Sequence, residues 1–352
     1  RPNVRRRARE SSRTCCCNAW STSTTTRRFR VVSASGGRKS IEATVPAKQM
    51  AVSNLPVAKR TELGNGLAKV QFGTSPKMST YLLFFALGDF ERITDTVDGT
   101  EVGVIAQRGS IDQAGFALQA SKDVLKEYND YFGTPFPLPK LDNIASPGSS
   151  QFFSAMENWG AIFTFEYSLL LNPDIASEGD KHRIFEVDAH EIAHQWFGDL
   201  VTMRWWDDLW LNESFATWAG TLAQAEATRW TSAWTTFAQL YKAWAYRQDQ
   251  LPSTHPVAAD INDIDDVKVN FDGITYAKGA SVLKQLVAYV GLEPFLAGLR
   301  DYFAAHAWGN ATFDDLIGAL ERSSGRDLSD WGTQWLRTTG LNLLRPSFDV
   351  DG

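Results

Sequence analysis

His190-Glu191-Ile192-Ala193-His194 is the stretch on which the reading of this chain turns. On an α-helix, positions i and i+4 lie one turn apart on one face, so both imidazoles reach a single ion. Glu191 sits about 100° round from His190, which puts its carboxylate beside that ion rather than on it, where it can take a proton from a water. Phe185, Val187, Ala189, Ile192, Ala193 and Phe197 make the helix mostly apolar, and Gly198 reads as its stop. Two histidines and a glutamate are costly to bury there without a role. Three fixed residues are a weak filter by themselves, met by roughly one chain in a hundred at ordinary residue frequencies, so the surroundings decide.

A catalytic zinc takes three protein ligands and keeps an open position. Glu213 follows His194 with eighteen residues between, enough to end one helix, cross a loop and start an antiparallel second one. It lies in Leu209-Trp210-Leu211-Asn212-Glu213-Ser214-Phe215-Ala216, read as an apolar helix capped by Asp207 or Asp208. The apolar neighbours Leu209, Trp210, Leu211, Phe215 and Trp218 argue against an exposed surface acid.

Working outward, residues 1–40 hold eleven Arg or Lys and the single acid Glu10, then a Ser/Thr run, and read as a disordered basic tail. Their charge near +10 leaves about −16 for the other 312 residues, since the chain totals −6. That acidic body suits cations and amines and argues against a general nucleic-acid binder. The cysteines are confined to Cys15, Cys16 and Cys17, so the body uses no disulfide. With neither an apolar run of transmembrane length nor a signal-like h-region, the cytoplasm is the favoured compartment, and oligomeric state is left open. Residues 41–92 read as strands among turn signals, including Gly64-Asn65-Gly66 and the apolar Tyr81 to Leu87. Gln113 to Phe132 has helical spacing and stops at Pro135, Pro137 and Pro139. Leu141 to Ala145 and Phe152 to Phe165 read as strands. From Ile184 the chain is mostly helix, broken at Gly198, Leu251 to Pro256, Gly291, Gly309 and Gly325. His182 and His306 read as ordinary packing or surface histidines.

Several segments together resemble the aminopeptidase N family of gluzincins. They are His190 to His194, Gln195-Trp196-Phe197-Gly198-Asp199-Leu200-Val201-Thr202 and Trp205-Trp206-Asp207-Asp208-Leu209-Trp210-Leu211-Asn212-Glu213. Ser154-Ala155-Met156-Glu157-Asn158 is similar to the family's Gly-Ala-Met-Glu-Asn exopeptidase motif, and Phe271 to Ala280 to the segment with its catalytic tyrosine. The resemblance spans roughly residues 41–345. It implies an α+β fold: remnant strands of an all-β domain over 41–92, a thermolysin-like domain over 93–345 with a small mixed sheet and a helical body, and a tail at 346–352. It implies one Zn²⁺ held by His190, His194 and Glu213, and a metal-activated water attacking the peptide bond. Glu191 would be the general base, and Tyr276 would stabilise the oxyanion. Glu157 would pair with the free α-ammonium of a peptide substrate, while Ser154 to Asn158 form an edge strand that pairs with its backbone. Ser154 stands where the motif usually has Gly. Most of the family's N-terminal domain and its large helical C-terminal domain have no counterpart here, so the chain reads as a fragment. Two alternatives to an aminopeptidase stay open: a zinc-binding remnant without turnover, and a related zinc endopeptidase or epoxide hydrolase. His255-Pro256 resembles a family loop whose role the residues do not reveal.

Overall fold

The computed structural model describes residues 18–21, 28–33, 37–343 and 345–348. Asn18–Ser21 (β1), Arg28–Ser33 (β2), Lys39–Pro46 (β3), Met50–Ser53 (β4), Val57–Gly64 (β5), Leu67–Phe72 (β6) and Phe84–Gly88 (β7) form two small sheets, ordered β1-β7-β4 and β2-β3-β6-β5. In β3 and β6, Ile41, Ala43, Val45, Ala68, Val70 and Phe72 are buried and their alternates are not, the period-two signature of a half-buried strand. β5 lies at the sheet edge and is exposed along its whole length. It turns into β6 through Gly64, Asn65 and Gly66, with φ of 79°, 52° and 71°.

The stretch expected to be a disordered tail therefore contributes two strands. β2 pairs antiparallel with β3, and β1 pairs parallel with β7. Arg28-Phe29-Arg30-Val31 alternates charged and apolar residues, a strand signal masked by the arginine-rich composition around it, and the edge of β3 supplies its partner. The disorder expected for residues 1–17, 22–27 and 34–36, and the tail expected at 349–352, lie outside the described residues.

Phe90–Val97 (β8), Thr100–Gln107 (β9), Lys140–Ser146 (β10), Ala155–Met156 (β11) and Ala161–Phe165 (β12) build a mixed sheet ordered β11-β12-β10-β9-β8. β9, β10 and β12 run parallel, and both edge strands are antiparallel to their neighbours. Gly115–Phe132 (α1) makes the crossover from β9 to β10 and buries Ala117, Ala120, Val124, Leu125, Tyr128 and Phe132. The strand expected over 152–165 is interrupted, because the chain reverses at Asn158-Trp159-Gly160. Gly160 has φ 71°, and a Cβ there would come within 2.9 Å of the Asn54 carbonyl oxygen, so glycine is required.

The helical body comprises Glu178–His194 (α2), Trp210–Glu226 (α3), Ala233–Gln248 (α4), Ile264–Val269 (α5), Gly279–Val290 (α6), Leu292–His306 (α7), Phe313–Ser324 (α8) and Ser329–Leu336 (α9). Val201–Met203 (β13) and Gly309–Ala311 (β14) pair between them. α2 starts earlier than its apolar period suggests, at a capping box made by Ser177 and Asp180. Neither Asp207 nor Asp208 caps α3. A 3₁₀ turn, Trp206–Asp208, runs straight into the helix, and the Asp208 carboxylate instead accepts the Phe313 amide (2.9 Å) and the Trp210 indole N–H (3.3 Å). One continuous apolar core runs from Ile41, Val70 and Phe72 through Tyr128, Trp159 and Trp196 to Trp331 and Leu336, joining the early sheets to the last helix. Among the described residues no single helix is long and apolar enough to cross a membrane.

Candidate active site

The apolar face of α2 seats its last turn against α3, and this brings His190, His194 and Glu213 together. The two Nε2 atoms lie 3.1 Å apart, and each is 3.3 Å from Glu213 Oε2. A tetrahedral ion held at ~2.0–2.2 Å by nitrogen and oxygen sets its ligand atoms about 3.3 Å apart, so these three atoms fit three corners of such a shell. His194 is turned for this purpose. Its Nδ1–H donates to the Phe197 carbonyl (2.9 Å), which directs Nε2 at the cluster. Burial works to raise the Glu213 pKa, yet the two imidazoles beside it hold it down at about 2, so the carboxylate is anionic.

A second group shares His194. Carboxylate oxygens of Glu157 and Glu191 lie within 4.8 Å of each other and of its ring nitrogen. Both acids are buried. Burial raises both pKa values, repulsion from Glu213 adds to both and repulsion from Glu157 adds to that of Glu191, while His194 pulls the other way. Glu157 leaves the short edge strand β11, which pairs with β12 only through Ala155 and Met156. Ser154 adds a carbonyl bond to Phe165 N–H, and Asn158 has already turned away. The Asn158 side chain is buried, with neither amide atom hydrogen-bonded. The outer edge of β11 carries no further strand among the described residues.

Tyr276 closes the other side. It occupies a π-turn, Ile274–Lys278, in which the Lys278 amide reaches the Gly273 carbonyl five residues back (2.9 Å). Its ring stacks near His190, with centroids 5.9 Å apart. Burial pushes its hydroxyl pKa well up, helped by the Glu213, Glu157 and Glu191 carboxylates, so the group stays protonated and can donate.

Sequence reasoning passed over Gln195. Its amide accepts the Gly160 N–H (2.9 Å) and donates to the carbonyls of Glu157 (3.1 Å) and Glu191 (3.2 Å), locking the turn after Glu157 onto the ligand helix. The available signal was a lone amide between His194 and the apolar Trp196-Phe197. His182 packs on Trp230 and His306 lies near Asp315, both away from the cluster.

Residues 116–335 match the model of the peptidase family M1 domain, and residues 38–82 match the peptidase M1 N-terminal domain. The chain belongs to peptidase family M1. Among similar M1 relatives, aminopeptidase N of Streptomyces lividans is 46% identical over 80% of this chain and 33% of its own length. A probable aminopeptidase 2 of Sulfurisphaera tokodaii is 42% identical over 83% of this chain and 37% of its own. The leucyl aminopeptidase of Saccharolobus solfataricus is 40% identical over 84% and 37%. This M1 chain thus spans about a third of the length of the curated relatives it matches.

Proposed function

We propose that the chain is a zinc-dependent aminopeptidase that removes the first residue of peptides with a free N-terminal amine. The observation that carries this is the position of Glu157. Its carboxylate stands beside Glu191 and His194, next to the three-residue metal cluster, and is almost wholly buried there. A divalent ion and an ammonium group would offset the negative charge that Glu157, Glu191 and Glu213 bring together out of water.

His190, His194 and Glu213 would hold the zinc, which when bound supplies Lewis acidity and lowers the pKa of water. Glu157 grips the α-ammonium and fixes the distance from the chain end to the scissile bond. The free edge of β11 offers backbone groups to an extended substrate. Glu191, its pKa raised by burial, takes a proton from the attacking water and hands it to the leaving amine. Tyr276 donates its hydroxyl hydrogen to the oxyanion.

The test compares aminoacyl-arylamides with their N-acetylated forms, with and without chelator. Chelator-sensitive cleavage confined to free amines is expected. Glu157→Gln should lower kcat/KM by about a hundredfold, the loss of a charge-assisted anchor, with metal content unchanged. Equal cleavage of acetylated substrates would sink the proposal, and so would a metal-replete chain with no turnover.

A further inference from the structure

His255 lies in the loop between α4 and α5 and is not one of the clustered ligand residues; each of its ring nitrogens faces an acceptor. Nδ1 is 2.7 Å from the Pro256 carbonyl oxygen, and Nε2 is 3.0 Å from Asp272 Oδ2. A neutral imidazole has one N–H and can serve only one of them, whereas the imidazolium serves both. Asp272 in turn fastens the start of the π-turn. Its Oδ1 accepts the amides of Ile274 (2.9 Å) and Thr275 (3.2 Å), and its main-chain carbonyl accepts the Tyr276 amide (3.0 Å). Gln248 Nε2, at the end of α4, makes a second bond to Asp272 Oδ2 (2.9 Å). From the α3 side, the Ser214 hydroxyl donates to the Thr275 carbonyl (2.6 Å), one residue from the ligand Glu213. Tyr276 thus hangs between two anchors, one on the ligand helix and one on Asp272.

We propose that His255 is a positioning residue for Tyr276: by clamping Asp272 to the Pro256 carbonyl, it fixes the π-turn and hence the place of the tyrosine hydroxyl over the metal cluster. This rests on the aminopeptidase reading for its kinetic consequence, though not for its structural one. The charged groups facing the ring are Asp272 at the start of the π-turn and Lys278 at its end, and Lys278 is itself paired with Asp249 at the end of α4 (2.8 Å). Burial lowers the His255 pKa, but the Asp272 bond and charge and the Pro256 carbonyl outweigh it, so the net shift is upward. A raised histidine contributes fully below its free value near 6.5 and loses the contribution as pH rises through the raised value. The clamp therefore loosens on the alkaline side.

Two variants of the zinc-loaded chain test this. His255→Leu should lower kcat on an aminoacyl-arylamide at least tenfold, with KM and zinc content unchanged. His255→Gln still offers an N–H to Asp272 and does not titrate. It should recover most of the turnover and lose the alkaline decline of the wild type. Wild-type kcat and pH profile in His255→Leu would overturn the proposal, as would a parallel loss of KM and zinc. Should the wild type cleave nothing, the aminopeptidase reading fails and the clamp is read from near-UV circular dichroism, because Trp244 stacks near Tyr276 with centroids 6.3 Å apart. A change on the alkaline side of pH 6.5 that is absent in His255→Gln supports the clamp, and a flat wild-type trace overturns it.

Discussion

The Tyr276 hydroxyl is an uncharged group beside the Glu213, Glu157 and Glu191 carboxylates, and burial keeps its proton on. Tyr276→Phe keeps the ring that stacks near His190 and removes only the donor. Turnover of an aminoacyl-arylamide should fall by about 10²–10³, with KM and zinc content little changed. At this scale the grouping of His190, His194 and Glu213 was legible because helix geometry is local: i and i+4 share a face, and an acid amid Leu209, Trp210, Leu211 and Phe215 has to be turned inward. The supporting residues were not. Gln195 acts on the carbonyls of Glu157 and Glu191, and His255 acts on Asp272 seventeen residues away. Main-chain acceptors and distant partners leave no mark in the residue pattern.

Among the elements, the turn from β11 to β12 carries the most consequence, because it aims Glu157. Gly160 sits there at φ 71° with the Asn54 carbonyl at the place a Cβ would take. Gly160→Ala should destabilise the chain by at least about 1 kcal/mol, read from the urea midpoint at constant slope. Its kcat/KM for free-amine substrates should drop more than its zinc content does. Periodicity gave α1 to within two residues, because it buries one continuous face, and the apolar run gave β10 to within one, whereas the body helices were legible only as a helical stretch, with the start of α2 read late and the break between α3 and α4 unmarked. It failed where tertiary contacts decide. The strand over 152–165 was read too long because its apolar residues serve a reverse turn as well as a strand. The cap of α3 was misassigned because Asp208 bonds an amide more than a hundred residues away, that of Phe313.

For the molecule as a whole, the candidate metal site is tied to a core that reaches from the early sheets to α9. Heating should give one transition rather than two. Free zinc at a hundred times its dissociation constant should add about 2.7 kcal/mol, seen as a rise in Tm that chelator reverses and that Glu213→Ala abolishes. Fold class and family were legible at this scale because separate motifs fall in one order along the chain. β1 and β2 were not: composition concealed the alternation of β2, and Asn18–Ser21 carries none. That shared core, together with the exposed edge strand β5, has a consequence for processing. A protease site introduced at Gly64-Asn65-Gly66 would sever the polypeptide without releasing either piece, since Ile41 and Val45 on one side of the cut and Val70 and Phe72 on the other belong to the same packing. The nicked product would travel as a single particle on a sizing column and fall into two bands only in detergent.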